Sequence, residues 1–172
     1  MSKHIEKHIR AIQDFPKRGI LFRDITPLLR RKDGLRRVVS ALRRSLRGIR
    51  VDQVVGIESR GFIFGAPLAV SYGAGFVPIR KPGKLPHKTL TERHSLEYGH
   101  STLEIHRDAL KKGERVLVVD DLLATGGTAA AAVKLVRRLG ARVVAVVVLI
   151  ELGALSGRSK LRGIPVHSVI RY

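Results

Sequence analysis

Val116-Leu-Val-Val-Asp-Asp-Leu-Leu-Ala-Thr-Gly-Gly-Thr128 decides how this chain is read, and residues 129–139 continue it. Residues 116–119 are uniformly apolar, which fits a strand buried on both faces, since parallel strands read as continuous apolar runs. Asp120 and Asp121 follow at its carboxyl end, the end that faces the ligand crevice of an open α/β sheet. Each acid can take a hydroxyl. Ala124, Thr125, Gly126, Gly127 and Thr128 then form a short turn. Its glycines let backbone N–H groups come close to an anion, and Thr128 adds a hydroxyl at the start of a helix. Along that helix Ala132, Leu135, Val136 and Leu139 share one face, Lys134, Arg137 and Arg138 take the other, and Gly140 is a natural stop. The unit has neither the Lys of a P-loop nor the G-x-G-x-x-G of a dinucleotide fold, so neither nucleoside-triphosphate nor NAD chemistry is indicated. A diol and a phosphate on one molecule, as in a ribose 5-phosphate, suit the acids and the loop together. An ordinary strand-to-helix turn with a solvated acid pair is the bland alternative, and the coincidence of both features at one strand end disfavours it.

Composition bounds the rest. The chain has 172 residues, enough for one domain with a real core, and no cysteine, so it has no disulfide, thiolate metal site or thiolate nucleophile. Residues 143–150 are the longest apolar run, too short to span a bilayer, and the first residues lack the apolar core of a signal peptide. A cytoplasmic location is therefore the expectation. Net charge is +19, and nine of the 33 Lys and Arg lie between Arg30 and Arg50. There Leu35, Val38, Val39, Leu42 and Leu46 form one helical stripe, with Arg36, Arg37, Arg43, Arg44 and Arg47 on the opposite arc. A solvated helix face is favoured over a nucleic-acid platform, because no aromatics are interleaved for stacking on bases. Nonspecific nucleic-acid binding and steering of a polyanionic substrate remain open readings of the charge. The absence of Asn and the presence of only two Gln also suit a thermophilic source.

Taken in order, Ser2 can cap a first helix carrying Ile5, Ile9 and Ile12, with His4 and His8 exposed on it. Residues 20–24 read as an ordered loop or short strand. Residues 51–57 are a strand, Glu58-Ser-Arg-Gly61 a second strand-to-helix turn, and 62–72 a helix, so βα units repeat and imply a parallel sheet. Arg60 and the amides of that turn suit a second anion. Residues 76–79 form a short strand leading into Arg80-Lys-Pro-Gly-Lys84, whose cations again argue for an anion. Residues 85–101 are long, polar and sparsely apolar, which marks a lid or a disordered loop. Leu103-Glu-Ile105 alternates like a strand with Glu104 outward, and 142–150 and 166–170 are further strands.

Several of these stretches resemble the type I phosphoribosyltransferases, and the form Asp120-Asp-Leu-Leu-Ala-Thr-Gly-Gly-Thr128 resembles the adenine-specific branch of that family. The resemblance recurs in Phe15-Pro16, Gly19-Ile-Leu-Phe-Arg-Asp24, Ser59-Arg-Gly-Phe62, Arg80-Lys-Pro-Gly-Lys-Leu-Pro86 and Leu96-Glu-Tyr-Gly99. It implies a single doubly wound α/β domain over residues 1–172, with a mainly parallel sheet of about five strands. It also implies a small hood over about residues 1–30 and a flexible catalytic loop over about 85–101. The implied reaction takes adenine and 5-phosphoribosyl 1-pyrophosphate to AMP and pyrophosphate, with Mg²⁺ carried by substrate and water rather than by protein ligands.

Residue by residue, the resemblance gives Asp120, Asp121 and Glu97 catalytic roles, Glu97 mediating proton transfer at the purine imidazole edge. Asp120, Asp121, Ala124, Thr125, Gly126, Gly127 and Thr128 would bind the phosphoribosyl group. Ser59, Arg60, Lys81, Lys84 and Tyr98 would attend the pyrophosphate, and Leu21, Phe22, Arg23 and Leu123 the adenine. A cis peptide between Glu58 and Ser59 and a homodimer are also implied. From the residues alone, Glu97 would be a solvated loop acid. Two other functions stay in view: the same fold acting on a 6-oxopurine, and a regulator that senses phosphoribosyl pyrophosphate while bound to nucleic acid.

Overall fold

In chain order the computed structural model, which describes residues 2–95 and 99–172, contains α1 (Ser2–Glu6), β1 (Arg10–Gln13), β2 (Leu21–Asp24), α2 (Thr26–Leu29), α3 (Gly34–Ser45), β3 (Gln53–Ile57), α4 (Arg60–Tyr72), β4 (Gly75–Ile79), β5 (Thr89–Ser95), β6 (His100–His106), β7 (Arg115–Leu123), α5 (Gly127–Arg138), β8 (Arg142–Glu151) and β9 (Val166–Arg171). Five strands pair in parallel in the order β4-β3-β7-β8-β9. This is the parallel sheet the repeated strand–turn–helix pattern implied, doubly wound as the resemblance implied.

Alternation inside the apolar strands sorts their side chains between two helical layers. Val116 and Val118 join Val55, Ile57, Val146 and Val148 on the face covered by Ala132, Leu135 and Val136 of α5. Leu117 and Val119 join Val54, Ala145, Val147 and Leu149 on the face covered by Val38 and Leu42 of α3 and Phe64 and Leu68 of α4. Each fully buried Leu or Ile in such a core resists truncation to Ala by about 2–5 kcal/mol. The stripe on α3 therefore reads as expected, with Val38, Leu42 and Leu46 buried and Leu35 at its margin. Its outer face is solvated, though Arg37 pairs with Asp33 and the Arg43 guanidinium stacks 3.8 Å from the Tyr72 ring centroid.

Three local expectations change. The first helix ends at Glu6, and residues 10–13, which include Ile12, pair instead with β2 in an antiparallel hood ribbon. There the Arg10 guanidinium donates to Asp24 (2.6 Å), a contact that helical spacing could not reveal. His4 and His8 are half-buried with rings edge-on at 5.5 Å rather than exposed. Within the stretch read as a loop, β5 pairs antiparallel with β6, and residues 96–98 lie outside the described residues. The inward side of β5 is polar: Glu92 bonds Lys134 (3.1 Å) and Arg138 (3.3 Å) of α5, so the apolar alternation that marks a strand is missing.

Candidate active site

β3 and β7 are neighbours, so the turns at their carboxyl ends open into one cavity of about 650 Å³. Its walls include Glu58, Ser59 and Arg60 from the first turn, Lys81 beyond β4, and Asp120, Asp121 and residues 122–129 from the second; Pro16 and Ile20 close it from the hood. β7 continues past Val119 through both acids to Leu123, because the ladder with β8 persists to Leu123 opposite Glu151. The acids thus sit inside a paired strand rather than after it. That fixes their backbones more firmly than a loop would.

The acid pair is internally organised. Asp121 N–H donates to Asp120 Oδ1 (2.8 Å), and Arg60 Nε stands 2.9 Å from Asp121 Oδ2. The Arg60 approach is ionic without hydrogen-bond alignment, so this buried oxygen keeps an open acceptor position among the described residues. Gly61 makes the approach possible: a Cβ there would stand 2.7 Å from the Val119 carbonyl oxygen. The turn also contains the cis peptide between Glu58 and Ser59.

Burial pushes the Asp120 carboxyl well above the usual carboxylate range, and the Asp121 charge adds to it. Burial raises Asp121 as well, with Arg60 pulling the other way. A carboxyl that holds its proton more tightly folded than unfolded weakens the fold as pH rises past the unfolded value of about 3.9. Asp120→Asn keeps an acceptor for the Asp121 N–H and removes that charge. The ligand-free variant is therefore expected to melt above the parent at pH 7, by about 2–4 °C per kcal/mol relieved, and with no advantage near pH 3. Equal melting at pH 7, followed by differential scanning calorimetry, would show that Asp120 carries no such strain.

The second turn makes an anion cradle. Gly126 takes φ +78° and lies just before α5, whose first bond runs from Ala130 N–H to the Gly126 carbonyl (2.9 Å). The N–H groups of Gly127, Thr128 and Ala129 thus belong to the first turn of a helix, where no carbonyl of the same helix can reach them. Thr128 Oγ1 lies 3.3 Å from His94 Nε2, which ties the β5–β6 ribbon to the cradle. The sequence reading missed His94, and no local signal marks it.

In the first turn, the Glu58 carboxylate accepts from Lys81 N–H (2.8 Å) and Arg80 Nε (3.2 Å), and the Lys81 bond is the main reason it is held below the usual range. Glu104, read as a solvated strand acid, accepts from Gly83 N–H (3.2 Å) and so steadies the same turn. Of the residues singled out above, Ser59, Arg60, Lys81, Asp120, Asp121, Leu123, Ala124, Thr125, Gly126, Gly127 and Thr128 all line the cavity. Lys84 does not; its carbonyl accepts from Arg80 Nη1 (3.2 Å). Leu21, Phe22 and Arg23 are not among the lining residues, though the Phe22 ring centroid stands 5.3 Å from the guanidinium of Arg60, which is. Phe22 packs edge-on against Phe15 at 5.1 Å, and Arg23 stacks on Tyr172 at 3.7 Å. Glu97 and Tyr98 lie outside the described residues. Among the described residues no three His, Cys, Asp or Glu side chains cluster as a metal cage, and no helix is long and apolar enough to cross a membrane.

The arrangement has known counterparts. The adenine phosphoribosyltransferase of Carboxydothermus hydrogenoformans is 55% identical over 168 residues, covering 98% of this chain and 99% of the relative. The crystal structure of the Thermoanaerobacter pseudethanolicus adenine phosphoribosyltransferase superposes with a TM-score of 0.97 at 49% identity, each chain covered in full. The Saccharomyces cerevisiae enzyme, solved with adenine and an imino-altritol bisphosphate, gives a TM-score of 0.91 at 39% identity over 98% of this chain and 97% of that one. A model of the phosphoribosyl transferase domain matches residues 23–166, the hood strand through the last strand of the sheet, and by that match the chain belongs to the phosphoribosyl transferase family.

Proposed function

We propose that this chain transfers the phosphoribosyl group of 5-phosphoribosyl 1-pyrophosphate to adenine, forming AMP and pyrophosphate in purine salvage. The observation that carries the reading is the meeting of the acid pair and the anion cradle in one cavity that Arg60 and Lys81 also line. Relatives about 50% identical over nearly their whole length are named for this reaction.

As the bond from the anomeric carbon to pyrophosphate breaks, positive charge develops on the ribose ring, and adenine N9 closes on that carbon while losing its proton. Asp120 and Asp121 accept hydrogen bonds from the ribose hydroxyls and place negative charge beside the ring where the cation forms. The N–H groups of residues 126–128 and the Thr128 hydroxyl hold the 5-phosphate, so binding energy remote from the reacting bond orients the sugar. Ser59, Arg60 and Lys81 receive the departing pyrophosphate, with Lys84 and Tyr98 at the mouth. Leu123, Ile20 and Pro16 flank the base, with Leu21 and Arg23 offering backbone groups to its edge and Phe22 packing on its ring. Glu97 takes the N9 proton. Mg²⁺ fits this site as a companion of the substrate: Asp120 and Asp121 in the cavity lining could accept from metal-bound water, and the ion would neutralise pyrophosphate charge.

We further read the protein as a cytoplasmic homodimer; Val70 on α4, 82% exposed, is an apolar position that a second copy would cover, and light scattering at twice the 19.0 kDa chain mass would show it. The test of the reaction is pyrophosphate release with adenine, hypoxanthine, guanine and xanthine in turn. Adenine alone is expected to turn over well. Equal turnover with hypoxanthine would overturn the assignment of the base.

A further inference from the structure

Behind the cradle lies a structure that the proposed reaction does not use directly. β8 ends at Glu151, the partner of Leu123 across the β7–β8 ladder, and the Leu152 N–H donates to the Leu123 carbonyl (2.9 Å). From there the chain folds back through two short 3₁₀ turns, Gly153–Leu155 and Gly157–Leu161. Gly157 thereby reaches the rear of the cradle. A Cβ on Gly157 would stand 2.2 Å from the Ala124 carbonyl oxygen and 3.0 Å from Gly126 N, and a Cβ on Gly126 would stand 2.3 Å from the Gly157 carbonyl oxygen. The two backbones meet with room for hydrogen only.

What holds the fold-back there is a buried carboxylate. Glu151 is 3% exposed and accepts both prongs of the Arg158 guanidinium, from Nε and Nη2 at 2.7 Å each, together with the Ser168 hydroxyl at 2.7 Å. Arg158 also donates to the Val166 carbonyl (2.8 Å) of β9. Arg158, more than any other group, holds the Glu151 carboxyl down to about 2. The pair is therefore ionised at any working pH. A two-pronged grip fixes direction as well as distance. Because Arg158 follows Gly157 directly, its grip on Glu151 sets where Gly157 presses on Ala124 and Gly126.

We infer that Gly157, anchored by the Glu151–Arg158 pair, is a back wall that sets the width of the phosphate cradle, which makes Gly157 and Arg158 positioning residues for the 5-phosphate. The inference rests on the cradle being the phosphate site of the proposed reaction. A displacement of about 1 Å in a positioning element can change a reaction or binding step by about 100-fold, so a contact this tight has leverage. The effect should fall on the phosphate and spare the nucleoside.

The test is the ratio of AMP to adenosine affinity, measured by calorimetry on the parent, Gly157→Ala, Arg158→Lys and a Ser168→Ala control, with melting curves to establish folding. In the parent AMP should bind far more tightly than adenosine. Gly157→Ala forces Ala124 or Gly126 to move, and is expected to reduce the ratio at least about tenfold while adenosine affinity changes less than about twofold. Arg158→Lys keeps the charge without the two-pronged grip and should reduce the ratio by a smaller factor, about threefold, which decides the matter if Gly157→Ala does not fold. Ser168→Ala leaves the guanidinium grip in place and should leave the ratio unchanged. An unchanged ratio in folded Gly157→Ala, or in Arg158→Lys where only that variant folds, would overturn the inference, as would an equal loss of AMP and adenosine binding. A parent that binds AMP no better than adenosine would overturn the cradle reading itself, and the back wall with it.

Discussion

Glu97→Gln is expected to slow the chemical step by about two to three orders of magnitude in single-turnover kinetics, with a much smaller change in AMP binding. A carboxylate enclosed with the purine can take the N9 proton as the new bond forms, and an amide of the same size cannot. Glu97 lies outside the described residues, but the chain just before it is anchored: Glu92 is tied to Lys134 and Arg138, and His94 stands on Thr128 of the cradle. Glu104 is the internal control. Its bond from the Gly83 N–H can be accepted equally by the oxygen of a glutamine, so Glu104→Gln is expected to lose less than about threefold. The opposite ranking of the two variants would move the proton-transfer role to Glu104.

The second large effect belongs to Asp121. Replacing it with Asn removes a buried negative charge from the place where the ribosyl cation forms. It also deprives Arg60, 2.9 Å away, of its counter-charge. Both changes weaken the transition state more than the ground state: the first withdraws stabilisation from the ring, and the second loosens a cation meant for the leaving group. A fall in kcat of about 10²- to 10³-fold is expected in Asp121→Asn, with AMP affinity changed less than about tenfold. Parallel losses in kcat and AMP affinity would reduce Asp121 to an ordinary binding group.

Much of this was legible in the chain, and the legible part shares a physical character. The 116–128 stretch announces itself because its signals are local: a continuous apolar run, two adjacent acids, two adjacent glycines and a helix-compatible Ala-rich continuation. The turn at Glu58-Ser-Arg-Gly61 is legible for the same reason. What escaped depends on partners distant in sequence. Ile5, Ile9 and Ile12 have helical spacing, yet the segment from Arg10 pairs with β2, where Asp24 holds Arg10, and tertiary pairing overrides local propensity. β5 escaped because Glu92 and His94 fill its inward positions, Glu92 bonding Lys134 and His94 Nε2 meeting the Thr128 hydroxyl on α5. Pro16 and Ile20 line the cavity next to Leu21, Phe22 and Arg23, and the Phe22 ring meets a lining residue, Arg60, at 5.3 Å, a pairing of residues distant in sequence that no local pattern carries. The near contact of Gly157 with Gly126 left no trace in the local pattern of either glycine.

The central claim is that one cavity holds a ribose diol on its acids and a phosphate on its glycine turn, and the electron density of an AMP complex tests it most directly. The account predicts the phosphate within about 3 Å of backbone N–H groups between Gly126 and Thr128, the ribose hydroxyls on Asp120 and Asp121, and the base between Leu123 and the hood. AMP seated the other way, with its phosphate on Arg60 and Lys81 and its ribose away from the acid pair, would contradict it.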